Sequence, residues 1–272
     1  MVVFPHCKIN IGLQVLDKRP DGYHNIKTLF YPLPLKDVLE IIEVPYQQNQ
    51  ISFSSTGLNI STPATKNICV KAYEAFRAVY PDIPKVKMHL HKVIPMGAGL
   101  GGGSSDAAFV LKLLNKKFSA GINEEQIIQL AASLGSDCAF FTQNDPCLGE
   151  GRGEILTPVK LDLSTYKILL IYSAIQINTA DAFKNIHKSE NIADLSDVIN
   201  LPIAEWKDHI TNDFEKTIFP LYPQLKILKE KLYNEGALFA SMSGSGSSIY
   251  GIFNANSNPV FNFPPEYFYK WI

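Results

Sequence analysis

The chain has 272 residues, of which 46% are hydrophobic and 19% charged, and its formal net charge is −1. Such a length holds one large domain or two modest ones with a full core. A charge this near zero excludes recruitment to nucleic acid or to an anionic membrane by a global field.

No apolar run is long enough to span a bilayer. The opening MVVFPHCK lacks the basic, apolar and small-residue sections of a signal peptide. Cys7, Cys69, Cys138 and Cys147 show no paired spacing, which argues against a zinc or disulfide framework and fits reduced thiols in a cytoplasm. A monomer or a homodimer is expected, with small-molecule ligands.

From Lys8 to Leu16 apolar residues alternate, which predicts a strand with Lys8, Asn10 and Gly12 on the face opposite Ile9, Ile11, Leu13 and Val15. A Lys and an Asn so placed are ordinarily a solvated face. Arg19-Pro20-Asp21-Gly22 reads as a turn, and Tyr23 to Phe30 as the returning strand. Beside that turn, Tyr23 and His24 are surface residues by default. Further strands are predicted at 38–44 and 51–54, and Thr65-Lys66-Asn67 caps a helix over 68–79. Val86 to Ile94 reads as a strand with His89 and His91 on one face; with no third ligand in view, solvated residues are favoured over a metal pair.

The most distinctive stretch follows, PMGAGLGGGSS from Pro95 to Ser105, with five of the chain's 17 glycines between Gly97 and Gly103. Ordered glycine is entropically costly, so the concentration implies positive φ and close approach of bare N–H groups to a bulky anion. After it, apolar residues at 107, 108, 111 and 114 mark one helix face, with Ser104 or Ser105 as the expected N-cap. Strand, glycine loop and helix start together read as a phosphate cradle. A Walker A loop is excluded because no Lys follows the glycines. Gly97, Gly99 and Gly102 satisfy G-x-G-x-x-G, but no acid stands about 20 residues on, as a dinucleotide site requires.

Asn123 is expected to cap a helix that closes at Gly135. Asp137 then precedes an apolar segment, which suggests burial at a helix start and equally suits a capping role. Gly149 to Glu154 reads as a hairpin turn with no assigned chemistry. From Ile155 the pattern restarts, with a strand over 166–172, a helix from Thr179, little signal over 200–213, and helices at 214–219 and 224–234. Ser243 to Ser248, a second small-residue loop, leads into a strand over 249–253 and suggests either close backbone approach to the same ligand or a tight turn. Mixed elements with strands clustered early argue α+β in two lobes, divided near 155–163.

Three separated stretches, PHCKINIGLQVLDKRPDGYH, PMGAGLGGGSSDAA and SMSGSGSSIYGIF, resemble in order and spacing the three signature motifs of the GHMP small-molecule kinases. DGYH and GLGGGSSDAA look like the member whose acceptor carries a cytidine diphosphate group. The resemblance covers nearly the whole chain and is weakest after Phe253. It implies an α+β two-lobe fold, with a ribosomal-protein-S5-like N-terminal lobe over 1–158 and a ferredoxin-like C-terminal lobe over 159–272. ATP and an acceptor alcohol would meet in the cleft between lobes. The reaction implied is transfer of the ATP γ-phosphoryl to the tertiary 2-hydroxyl of a cytidylated methylerythritol, in the non-mevalonate isoprenoid pathway.

Carried over by residue, the resemblance makes Lys8 and Asp137 catalytic. Pro95, Met96, Gly97, Ala98, Gly99, Leu100, Gly101, Gly102, Gly103, Ser104 and Ser105 would hold the ATP phosphates. Asn10 would fix acceptor hydroxyls, Tyr23 and Phe183 would stack the cytosine, and His24 would bond its edge. Mg²⁺ would share the phosphate charge; its ligands are unassigned, with Asp106 the nearest acid and Ser105 a candidate oxygen. Two other readings stay open: a GHMP kinase of the homoserine or mevalonate type, and an ATP-sensing module without catalysis.

Overall fold

The structure, a computed structural model, describes residues 1–46, 48–184, 186, 188–189 and 194–272, with backbone alone at 179, 180 and 184. The chain begins with β1 (Val2–Val3), β2 (His6–Lys18), β3 (His24–Lys36), β4 (Val38–Glu43) and β5 (Ile51–Gly57). Helix α1 (Ile68–Val79) starts where Asn67 Oδ1 accepts from Cys69 N at 2.9 Å. Strand β6 (Val86–Lys92) and the glycine loop lead into α2 (Gly102–Phe118). Helix α3 (Glu124–Leu134) opens on a reciprocal capping box between Asn123 and Gln126 and ends at Gly135, as the sequence predicts. After α4 (Phe140–Gln143), strands β7 (Cys147–Glu150) and β8 (Ile155–Pro158) form the expected hairpin around 151–154. Strand β9 (Tyr166–Tyr172) precedes α5 (Thr179–Lys184), α6 (Leu195–Val198), α7 (Phe214–Leu221) and α8 (Pro223–Asn234). Strands β10 (Phe239–Met242), β11 (Ser248–Asn254) and β12 (Phe268–Trp271) complete the chain.

These elements form two compact units from interleaved segments. One comprises residues 1–7, 34–96 and 101–144; the other comprises 8–33, 97–100 and 145–272. In the first, a sheet of order β1-β4-β6-β5 buries Leu39, Ile41, Met88 and Leu90 against Tyr73 and Phe76 of α1 and Val110, Leu111 and Leu114 of α2. The pairing of β5 with β6 is parallel and the others are antiparallel. In the second, a sheet of order β10-β11-β9-β12 packs Leu169, Ile171 and Ile249 against Leu225, Leu228 and Leu232 of α8, and Leu13 and Val15 of β2 join that core. A further sheet has the order β2-β3-β7-β8. Among the described residues no helix is long and apolar enough to cross a membrane.

Two expectations need correction. The N-cap of α2 is Gly101, in a left-handed conformation at φ 68°, and neither Ser104 nor Ser105 caps the helix. The positive φ lets the chain turn straight from the loop into the helix, so both serines fall inside its first turn. The strand predicted to Ile94 stops at Lys92, because the N–H groups of Val93 and Ile94 turn to Asp37 Oδ1, at 2.6 and 2.9 Å. The closing residues, where the resemblance is weakest, join the second unit: β12 pairs along β9, and Trp271 packs on Phe253 with ring centroids 5.2 Å apart.

Charge is buried in the first unit. Lys92 Nζ lies 2.5 Å from Asp37 Oδ2 and 2.7 Å from Asp106 Oδ2, and all three side chains are at most 2% exposed. Burial pushes the Asp106 carboxyl up to about 8; the Lys92 charge opposes that rise and the Asp37 charge adds to it. The folded chain thus keeps a proton on Asp106 that the unfolded chain releases near pH 4. Stability is therefore expected to fall as pH rises from about 4 to about 8. Denaturant titrations across that window should show a steeper decline for the wild type than for Asp106→Asn; equal slopes would remove Asp106 as the source. The four cysteines are buried. Burial pushes the Cys138 and Cys147 thiols up to about 12 and Cys69 well above its usual value. A thiol-exchange reagent should therefore label the native chain slowly and all four cysteines on denaturation.

Candidate functional site

The glycine loop alternates turning glycines with anchored apolar residues. Gly97, Gly99 and Gly101 have φ of 66°, 76° and 68°, while Ala98 and Leu100 are buried. Its carbonyls face the protein's own donors. Ala98 O accepts from Ser248 N at 3.2 Å, and Leu100 O from Lys8 N at 3.0 Å. Gly99 O accepts from Ser243 Oγ at 2.8 Å and from Lys8 Nζ at 3.1 Å. With those negative dipoles turned onto donors, the loop does not present them to an anion. The N–H groups of Gly102, Gly103 and Ser104, in the first turn, have no intrahelical acceptor, no described side chain caps the helix, and they carry the positive end of a helix of 17 residues.

The second small-residue loop lies against the first. A Cβ on Gly99 would sit 1.9 Å from Ser243 O, and one on Gly246 would sit 2.1 Å from Gly99 N. The close approach suggested for this loop is thus an approach of main chain to main chain. Asn212, in the segment with little sequence signal, holds it in place: its Nδ2 donates to Met242 O and Gly244 O, each at 2.8 Å.

Strand β2 brings Lys8 and Asn10 to the same loop. Both are buried, at 3% and 2% exposure, so the solvated face expected from alternation alone is not what forms. Lys8 Nζ lies 2.5 Å from Asn10 Oδ1 and 5.3 Å from the centre of the Phe30 ring. Asn10 Nδ2 donates to Thr28 Oγ1 at 3.0 Å, and the Thr28 hydroxyl donates to Gly12 O at 2.5 Å. This chain of hydrogen bonds aims the ammonium. Thr28 was not distinguishable in the sequence, because its role depends on the pairing of β2 with β3.

Asp137 sits half-buried in a single 3₁₀ turn, Ser136–Cys138, directly after Gly135. It belongs to the first unit, whereas Lys8, Asn10 and Gly99 belong to the second. Ser104 hydrogen-bonds the Cys138 thiol, which ties this turn to the first turn of α2.

The aromatic residues divide. His24 and Phe183 stack, with centroids 5.4 Å apart and planes 12° from parallel, and Phe183 meets Phe214 edge-on at 4.8 Å. Two rings at that spacing leave no room for a third between them. Tyr23 is 56% exposed and lies under the Arg152 guanidinium, 5.2 Å from the ring centre. Arg152, in a turn that the sequence left without chemistry, thus places a cation beside Tyr23. His89 and His91 bond Ser54 and Thr56 hydroxyls across the sheet, and among the described residues no three His, Cys, Asp or Glu side chains converge on a metal position.

A family model for the N-terminal domain of GHMP kinases matches residues 67–144, and one for their C-terminal domain matches 195–270. A protein of Bacteroides thetaiotaomicron named 4-diphosphocytidyl-2-C-methyl-D-erythritol kinase is 47% identical over 253 residues, covering 93% of this chain and 92% of its own length. A crystal structure of 4-(cytidine 5′-diphospho)-2C-methyl-D-erythritol kinase superposes with a TM-score of 0.79 at 28% identity, covering 93% of this chain and 90% of the other. The mevalonate kinase of Methanococcus jannaschii gives a TM-score of 0.72 at 16% identity, covering 94% of this chain and 92% of its own; that is a likeness of fold. With both domain models matched and relatives this similar along nearly the full length, the chain belongs to the GHMP kinase family, among its 4-diphosphocytidyl-2-C-methyl-D-erythritol kinases.

Proposed function

We propose that the chain transfers the γ-phosphoryl of ATP to the 2-hydroxyl of 4-diphosphocytidyl-2-C-methyl-D-erythritol, a reaction of the non-mevalonate isoprenoid route in a reducing cytoplasm. One observation carries the reading: the Lys8 ammonium rests on Gly99 O, 3.1 Å away, within the glycine loop. A fixed cation beside a glycine-rich main chain suited to an anion supports this reading. Phosphoryl transfer consists largely of positioning and charge stabilisation, so this combination supplies most of what the chemistry needs.

The ATP phosphates lie along residues Pro95 to Ser105, with oxygens on the N–H groups at the start of α2. Lys8, aimed by Asn10 and Thr28, stabilises charge on the transferring group and on the acceptor oxygen. Asn10 reaches acceptor hydroxyls only if it keeps Lys8 and Thr28 as well, so its larger part is orientation. Asp137 accepts the hydroxyl proton; in a loose transition state this transfer comes late and needs no strong base.

Mg²⁺ fits this residue set as a phosphate-borne ion. Asp106 is ion-paired with Lys92, whereas Ser105 Oγ, in the first turn of α2, is a buried oxygen without a hydrogen-bond partner among the described residues. A single hard oxygen suits a cation that takes its other ligands from phosphate and water. When bound, it would neutralise charge on the β- and γ-phosphates. At the acceptor end, the cytosine opens the His24–Phe183 pair or stacks on its outer side, with Tyr23 alongside.

Replacing Asp137 by Asn is expected to lower kcat by about 10²–10⁴ with little change in KM. Steady-state kinetics with ATP and the cytidylated acceptor measure this, and near wild-type turnover would take Asp137 out of the proton-accepting role. Phe183→Ala should raise KM for the cytidylated acceptor by roughly 1–3 kcal/mol of lost stacking and leave KM for ATP unchanged. Equal weakening of both substrates would refute that assignment. A panel of alcohols with and without a cytidine diphosphate group tests the substrate itself: turnover of homoserine or mevalonate in preference to the cytidylated alcohol would overturn the reading.

A further inference from the structure

We propose that Asp37 and Lys92 are positioning residues for nucleotide binding: with Asp106 they form a buried clasp that joins the strand entering the glycine loop to the helix leaving it. The proposal rests on the reading of that loop as the ATP-phosphate site. Asp37 Oδ1 accepts from Val93 N at 2.6 Å and Ile94 N at 2.9 Å, fixing the main chain directly before Pro95. Its other oxygen takes Lys92 Nζ at 2.5 Å, and the same ammonium reaches Asp106 Oδ2 at 2.7 Å, in the second turn of α2. The two arms also touch directly. A Cβ on Gly102 would sit 2.8 Å from Ile94 Cγ2 and 3.0 Å from Lys92 Nζ. The bare glycine is what lets the helix start against the ammonium.

Stability alone does not account for this arrangement. Two acidic side chains and one ammonium, all but fully buried, carry a desolvation cost that well-packed apolar side chains of similar size would avoid. One of their oxygens, Asp106 Oδ1, is buried with no hydrogen-bond partner among the described residues, an added cost. What the charges supply is direction. Each bond has a fixed partner and length, and together they hold both ends of a segment containing three glycines at positive φ. Such a segment has many alternative conformations, and an unclasped loop would have to be ordered by the nucleotide itself, weakening binding. Lys92 is held from behind as well: its carbonyl accepts from Leu58 N at 2.8 Å, and Asp37 N donates to Pro5 O at 2.8 Å.

The test is the full-length double variant Lys92→Met/Asp106→Leu, which keeps apolar volume while removing the tie between the arms. It is expected to fold with wild-type-like cooperativity, to raise both the KM and the equilibrium Kd for ATP about tenfold, and to leave KM for the acceptor within about twofold. Amide hydrogen exchange over 97–104 should be faster than in the wild type, with exchange in α8 unchanged. A merely structural role would lower Tm and move none of these ratios. A folded double variant with unchanged ATP affinity and unchanged loop exchange would overturn the proposal. Should that variant fail to fold, Asp37→Asn carries the test with the same readouts; it keeps an acceptor for Val93 and Ile94 and weakens only the pull on Lys92, so a smaller rise of about threefold is expected and no rise is a refutation. Wild-type chain that fails to bind ATP would instead refute the reading of the loop. Wild-type chain that binds ATP and ignores the cytidylated acceptor would refute the substrate assignment and leave the clasp to be judged on ATP affinity.

Discussion

The organisation around the glycine loop hangs on a position with no side chain. Gly99 meets Ser243 to Gly246 main chain to main chain, so closely that a Cβ there would lie 1.9 Å from Ser243 O. Rotamer changes cannot relieve a clash with backbone, so this contact accepts no other residue at Gly99. The same residue's carbonyl takes both the Ser243 hydroxyl and the Lys8 ammonium. Loss of the contact would therefore displace the loop and remove an acceptor from the lysine in one step.

Two buried lysines are held by different physics. Asn10 Oδ1 and Gly99 O aim Lys8 with dipoles, and the aim is set by a relay through Thr28 to Gly12 O. Lys92 is held between the carboxyl groups of Asp37 and Asp106. Dipoles orient a cation while leaving most of its field in place, whereas a carboxylate within hydrogen-bond distance largely cancels it. The first arrangement suits a group that acts on a ligand, the second a group that holds chain together.

Much of the local structure was readable before any tertiary information. The span of α1 follows from Asn67 and the apolar spacing of Cys69, Tyr73 and Phe76; that of α3 follows from the Asn123 cap and Gly135. Strand β9 shows itself as an uninterrupted apolar run. Where the reading missed, a long-range partner was responsible. Val93 and Ile94 leave the sheet because Asp37, far back in the chain, takes their N–H groups. Residues 268–271 form a strand because β9 offers an open edge, and nothing local to Phe268 announces it.

For function, the sequence by itself determined the kind of chemistry: glycines in a strand-to-helix loop, a lysine and an asparagine two apart, and three motifs in order are local facts, and they led to the GHMP kinases. It also determined which residues could serve, since only a few positions carry a cation, a carboxylate or an aromatic ring in those motifs. Only the tertiary structure decided which of them stand together. That Lys8 leans on Gly99, that Thr28 steadies Asn10, that His24 faces Phe183 while Tyr23 faces Arg152, and that Lys92 links Asp37 to Asp106 are all consequences of strand pairing and packing between distant segments. Such contacts depend on register and on side-chain direction between positions 14 or more residues apart in the chain, and a linear pattern holds no record of either.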